Sequence, residues 1–228
     1  MQIPFSFKAN SDQRFIDFIG QEPIRLMIES AADANSAEYI FLAGNVGSGK
    51  THLLRACVSH SLALGRRAAY LPMQKMLNAT AEVFDGFEQQ QLVCLDDLHL
   101  IAGNKSLEIA LFHFFNRAKT ADTQLVFSAN AMPASIGIEL PDLISRLEQS
   151  IRLNVEVLDD SGKRQVILQR AKQRGLELDD AVLDYLFTRV SRDLHTLSEL
   201  LDRLDHASLA AQRRLTIPFI KMVLNPKM

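Results

Sequence analysis

One stretch, Gly44-Asn45-Val46-Gly47-Ser48-Gly49-Lys50-Thr51, constrains the fold of this chain more than any other. It has the form G-x-x-x-x-G-K-[ST]. The short apolar run EYIFLAG leads into it, and KTHLLRACVSHSLALG, with apolar residues at helical spacing, follows from Lys50. Glycines at these positions let successive backbone N–H groups turn inward around phosphate oxygens, and a helix starting at Lys50 adds the positive end of its dipole. Lys50 can then reach the β- and γ-phosphates, and the Thr51 hydroxyl can ligate Mg²⁺. Such a loop needs a buried strand before it and a helix after it.

The remaining pattern extends that unit. RRAAYLP, QLVCLDDL, TQLVFSAN and SIRLNV read as four further strands, and SLEIALFHFFNRAK as an amphipathic helix. Strands alternating with helices imply a parallel five-stranded sheet sandwiched between helices, an α/β architecture of three αβα layers. After residue 157 the strand signals stop. GKRQVILQRAKQRG, DAVLDYLFTRVS, DLHTLSELLDRLDHASLAAQRR and IPFIKMVLN read as helices, so a small all-helical domain is expected over 158–228. The chain's 228 residues, 47% hydrophobic with a formal net charge of −2, suffice for one or two compact units and give no bulk charge for nucleic acid. No apolar run approaches the roughly 18 residues of a membrane span, and the leading residues lack the pattern of a secretory signal. The two cysteines, Cys57 and Cys94, lie in apolar segments and read as buried thiols in a reducing cytoplasm.

Other residues can share chemistry with the loop. Asp96 and Asp97 close the strand in QLVCLDDL, which is expected beside the strand preceding the loop. There Asp96 can hold the Mg²⁺ shell, and Asp97 can orient or deprotonate an attacking water. The alternative is a pair of solvated turn carboxylates. Asn130 ends the next strand, where its amide can bond the γ-phosphate or the water, or simply shape a turn before Pro133. Arg146, in LPDLISRLE, is either a solvated surface charge or a charge aimed at another subunit's nucleotide. At the amino end, Gln2, Ile3, Phe5 and Phe7 crowd apolar bulk into a chain terminus. Pro4 favours an extended peptide. Such a peptide can enter an apolar cleft on a partner or fold back on its own sheet.

The order of these motifs resembles the AAA+ ATPases, and the double aspartate resembles their bacterial DnaA-related branch. Counterparts of DnaA's N-terminal and helix-turn-helix domains are not expected here. That pattern, with LPDLISRL and AQRRLTIPFIKMVL, is similar to the Hda-like regulatory inactivators of the DnaA initiator. The resemblance implies an N-terminal peptide (1–8) that binds the DNA polymerase III sliding clamp (its β subunit) through Gln2, Ile3, Phe5 and Phe7. An AAA+ nucleotide-binding domain (9–157) and a helical lid (158–228) follow. It further implies bound ADP or ATP with Mg²⁺, and Arg146 as an arginine finger supplied in trans to ATP-bound DnaA. DNA would be met indirectly through the clamp, in the cytoplasm at the nucleoid, with homo-oligomers an option. Intrinsic hydrolysis would be weak. By the same resemblance, His195 stands where the family has a nucleotide-sensing lid arginine; it is either a weaker sensor, with Arg192 three residues earlier on the same helical face to compensate, or an ordinary lid residue. A stand-alone AAA+ ATPase such as a helicase loader is the alternative reading, and a P-loop small-molecule kinase a more distant one.

Overall fold

The computed structural model describes residues 13–33, 39–189 and 193–224, with the backbone alone at His195. The clamp-peptide residues Gln2, Ile3, Phe5 and Phe7, and also Arg192, lie outside the described residues. The chain divides into two compact units, Met1–Val157 and Leu158–Met228.

The first unit carries β1 (Tyr39–Ala43), β2 (Ala68–Pro72), β3 (Leu92–Asp96), β4 (Gln124–Ala129) and β5 (Ile151–Asn154). All pairings are parallel, in the order β2-β3-β4-β1-β5. The five strands expected from the sequence are therefore present, but one adjacency differs. β3, which ends in Asp96, is not beside β1. β4 lies between them, pairing Phe41 with Phe127 on one side and Cys94 with Val126 on the other. Local apolar pattern reports that a strand is buried, not which neighbour takes its hydrogen bonds, so this order was out of reach of the sequence.

Successive side chains of a strand face opposite ways, and the sheet consequently has two apolar faces. Ile40, Leu42, Leu92, Cys94 and Val126 meet α1 (Glu22–Asp33) and α2 (Lys50–Ala63). Phe41, Val93, Leu95, Leu125 and Phe127 meet α3 (Lys105–Thr120) and α4 (Pro141–Glu148). Cys57 and Cys94 are free thiols and fully buried; burial raises the Cys94 thiol above its ordinary range, which suits an inert core role. Between β2 and β3 strict alternation of strand and helix fails. Short 3₁₀ turns at Met73–Lys75, Ala81–Phe84 and Phe87–Gln89 replace a helix. Their apolar residues roof the sheet instead: Phe84 is fully buried and stacks on Phe114 of α3 with ring centroids 5.6 Å apart.

The second unit holds α5 (Asp160–Gln173), α6 (Asp180–Arg189), α7 (Leu194–Ala211) and α8 (Ile217–Leu224). Aspartates preceding three of them accept first-turn N–H groups: Asp159 from Gly162 (2.7 Å), Asp179 from Val182 (2.7 Å) and Asp193 from Thr196 (2.9 Å). Such caps each contribute about 1 kcal/mol. Leu186, Leu204 and Ile220 fill one apolar cluster, and Ile167, Leu197 and Leu201 a second. The Arg174–Asp202 pair ties the C-cap of α5 to α7, and Arg164–Asp184 ties α5 to α6.

Candidate functional site

The loop after β1 is a tight cradle built on glycine. At Gly44 an added Cβ would stand 2.2 Å from the Val155 carbonyl oxygen, so the backbones touch there. Gly49 has φ +98°, and its absent Cβ would lie 2.8 Å from the Phe18 ring; side chains are excluded on both counts. The Gly44 N–H donates to the Ala129 carbonyl at the end of β4 (3.2 Å), and the Val155 N–H to the Ala43 carbonyl (2.7 Å). The loop is thus held between the ends of β4 and β5. Asn45, Val46 and Gly47 are exposed, while Ser48 and Lys50 are buried. Thr51 is half-buried in the first turn of α2.

Lys50 folds back over the cradle. Its ammonium donates to the carbonyls of Gly44 (2.6 Å) and Asn45 (2.9 Å) and to Ser48 Oγ (3.4 Å). Burial lowers its pKa, and the charges of Asp97 and Asp96 act in the opposite direction. These two carboxylates are therefore close enough to matter to Lys50, although β4 intervenes in the sheet.

Asp96 is 2% exposed and held through both oxygens. The Tyr70 hydroxyl donates to Oδ2 (2.5 Å) and the Ser128 hydroxyl to Oδ1. Ser128 Oγ also accepts the Asp97 N–H (2.9 Å), so one hydroxyl of β4 orders both aspartates. Tyr70 has its phenol pKa raised by burial and then by Asp96, and the Arg55 guanidinium lies 5.1 Å from its ring centroid. Asp97 takes a left-handed backbone (φ 59°, ψ 48°), a region aspartate tolerates better than most residues. Burial, then the Asp96 charge, raises its carboxyl pKa, opposed by His99 and Lys50. Asn130 is exposed just past β4, next to the Ala129 carbonyl that receives Gly44. Among the described residues no cluster of three or more His, Cys, Asp or Glu could hold a metal by itself.

The structure therefore brings Gly44, Asn45, Val46, Gly47, Ser48, Gly49, Lys50, Thr51, Asp96, Asp97 and Asn130 to the C-terminal ends of the strands, where open α/β sheets bind ligands. Arg146 is elsewhere. It rides the last turn of α4, which leads into the N-terminal end of β5, where Ile151 pairs with Ile40. The Tyr39 phenol, at the first residue of β1, is raised by burial and then by Asp122, and the Arg146 charge acts in the opposite direction. Gly44 begins at the other end of β1, a strand length of roughly 15 Å away. Arg146 is half-buried and has no ion pair among the described residues. His195 occupies the first turn of α7 in the second unit.

Sequence reasoning missed Tyr70, Ser128, Phe18 and Gln21. Tyr70 and Ser128 are ordinary strand residues until sheet register sets them against Asp96. Gln21 anchors the segment before α1: its side chain donates to the Glu156 carbonyl (2.9 Å) and accepts the Glu156 N–H (3.0 Å), across a gap in sequence that no local pattern spans.

Known proteins place this architecture. The bacterial DnaA ATPase domain matches residues 22–154, more than half of the chain. The chain belongs to the DnaA-related AAA+ family. The Hda lid domain matches residues 160–224, which places the chain on the Hda-like side of that family. A Haemophilus influenzae protein described as an uncharacterized protein is 40% identical over 227 residues, covering 98% of each chain. Domain III of the Thermotoga maritima replication initiation protein DnaA superposes with a TM-score of 0.78 at 20% identity, covering 94% of this chain and 96% of that one. AMPPCP-bound DnaA from Aquifex aeolicus gives 0.74 at 25% identity, covering 88% and 67%. The five-stranded parallel sheet and helical C-terminal region are thus those of an AAA+ core and lid. No described helix is long and apolar enough to cross a membrane.

Proposed function

We propose that this protein binds an adenine nucleotide in its own P-loop and stimulates hydrolysis of ATP held by DnaA, to which it lends Arg146 in trans. The observation that carries the reading is the separation of the two sites. Lys50 and the Asp96–Asp97 pair cluster at one end of the sheet, and Arg146 stands at the other, beside Tyr39. A guanidinium a strand length from its own cradle has no phosphate to serve there. It can serve one only on a neighbouring molecule, where an arginine finger is worth about 10³–10⁵ in rate.

At the P-loop, the exposed backbone of residues 45–47 and the Lys50 ammonium are suited to phosphate. Lys50 must exchange its present carbonyl partners for phosphate oxygens, a change of acceptor for a charge already desolvated. Asp96, Asp97 and the Thr51 hydroxyl are hard oxygen donors, as Mg²⁺ prefers, and Mg²⁺ characteristically takes one or two carboxylates with substrate phosphates and water rather than a full protein cage. The ion would screen phosphate charge. The chain's own part is to hold Asp96 in one orientation through Tyr70 and Ser128, and to keep Asp97, with Asn130 near, available to a water. In support, relatives in this fold include a DnaA bound to AMPPCP. Arg192 and His195 would report the nucleotide from the lid. A neutral imidazole offers one donor where guanidinium offers a charged fork, so discrimination between ADP and ATP should be weak.

Residues 2–7 would dock on the sliding clamp, bringing the protein to DNA within the cytoplasm. The test is Arg146→Ala in the full chain. It should fold, bind nucleotide and clamp, and lose stimulation of DnaA hydrolysis; retained stimulation overturns the finger. Deleting residues 2–7 should remove dependence on clamp alone. High intrinsic turnover without DnaA would instead favour a self-contained ATPase.

A further inference from the structure

Glu108 is a buried acid that the nucleotide chemistry does not use. It lies in the first turn of α3 and is 1% exposed. No cation pairs with it among the described residues. Its carboxylate instead accepts three backbone N–H groups: Gly103 on Oε1 (2.8 Å), Glu139 on both oxygens (3.2 and 3.0 Å), and Leu140 on Oε2 (2.9 Å). A buried carboxylate is costly unless fully hydrogen-bonded, and here the donors come from the turn just before α3 and from the loop that leads into α4.

One of those loops leads directly into α4. Leu140 is the helix N-cap residue, its side chain can cap nothing, and Pro141 at the next position brings no N–H. Glu108, from another helix, accepts the N–H of the N-cap residue, as the glutamate of a capping box does locally, and also the N–H before it. It fixes the chain immediately before α4 at two consecutive N–H groups. Leu143 and Leu147 bury one face of α4 against the same apolar cluster as Leu107 and Leu111 of α3. The helix is only eight residues long, so the anchor at its beginning and the buried Leu143 and Leu147 together fix its axis, and Arg146 stands in its final turn.

We propose that Glu108 is the positioning residue for Arg146: by gripping the backbone at 139–140 it sets the axis of α4 and hence where the guanidinium reaches a partner's triphosphate. The proposal rests on the trans-finger reading above. A misplacement of about 1 Å at a catalytic group can cost on the order of 10²-fold in rate, so a loosened anchor should show in rate before it shows in binding.

The test uses the full chain with clamp and ATP-loaded DnaA. Glu108→Gln replaces one acceptor oxygen by an NH₂ that faces N–H donors. The maximal stimulated rate should fall roughly 10- to 100-fold, with unchanged nucleotide affinity and unchanged half-saturating concentration. In Arg146→Ala, adding Glu108→Gln should cost nothing further, because the two act through one group. An undiminished ceiling, an additive loss in the double variant, or nucleotide affinity falling in step with the rate each overturns the positioning role. If Glu108→Gln does not fold, Glu108→Asp, which keeps the charge and withdraws it, carries the same comparison; collapse of both makes Glu108 a fold residue only and overturns the proposal. Full stimulation by Arg146→Ala itself would fell the finger reading separately, leaving Glu108 nothing to position.

Discussion

The two ends of one sheet are built on opposite plans. At the C-terminal end, charge is locked: Lys50 has three partners, Asp96 is gripped by Tyr70 and Ser128, and Gly44 touches Val155. At the N-terminal end, Arg146 is half-buried and its side chain has no ion pair among the described residues. A site meant to grip its own ligand gains from preorganised dipoles and excluded water. On the proposed trans role, the Arg146 charge keeps its hydrogen-bonding capacity for another molecule, and any rigidity has to come from the helix that carries it. The contrast teaches that a charged residue's pairing is as informative as its position.

That contrast breaks first if the two ends prove interchangeable. Arg146→Ala is expected to lower stimulated hydrolysis of the partner's ATP by about 10³-fold or more while nucleotide affinity holds. Lys50→Ala should abolish nucleotide binding in an equilibrium titration. Equal nucleotide loss in both variants would end the division of labour. The next effect in size concerns the cradle's backbone contact. Gly44→Ala puts a methyl 2.2 Å from a backbone oxygen, so the loop must shift, and calorimetry should find nucleotide binding lost together with a lowered Tm.

Ser128→Ala sharpens the gripping end. It leaves the Asp97 N–H and one Asp96 oxygen without their partner, at a cost of about 1–3 kcal/mol, measurable by denaturant unfolding. The Mg²⁺ concentration needed for tight nucleotide binding should rise in the same variant. The smallest effect is a pH dependence at Asp97. Burial and the Asp96 charge hold its folded-state carboxyl pKa above the unfolded value. Folding therefore favours the protonated acid: this contribution is present below the unfolded carboxyl pKa, about 3.9, and is lost as pH rises through the folded value. Asp97→Asn, which keeps a residue tolerant of positive φ, should be slightly more stable than the parent at pH 7. The gap should close as the pH falls into the carboxylate range, in thermal melts across pH 4–8.

Much of the α/β unit was legible locally. The G-x-x-x-x-G-K-[ST] spacing needs no tertiary information because its chemistry lies within eight consecutive residues. Strand runs such as TQLVFSAN were equally plain, since burial on both faces demands uninterrupted apolar sequence. The helix α1 was less so; the structure buries its Ile28, Ala31 and Ala32, a stripe too small to stand out. The 3₁₀ turns between β2 and β3 went unread because their aromatic residues pack on α3 rather than on a regular face of their own.

By itself, then, the sequence determined the phosphate cradle, the number of strands, the carboxylates that end one of them, and the succession of sheet and helices. These follow from contiguous residues, whose spacing is their geometry. Tertiary structure alone decided that β4 separates β1 from β3, that Tyr70 and Ser128 hold Asp96, and that Glu108 holds the chain before α4. It also set Arg146 at the far end of the sheet from Lys50. Each of these joins residues far apart in the chain, and only the closing of the sheet and its packed helices brings such groups within hydrogen-bonding distance or keeps them apart.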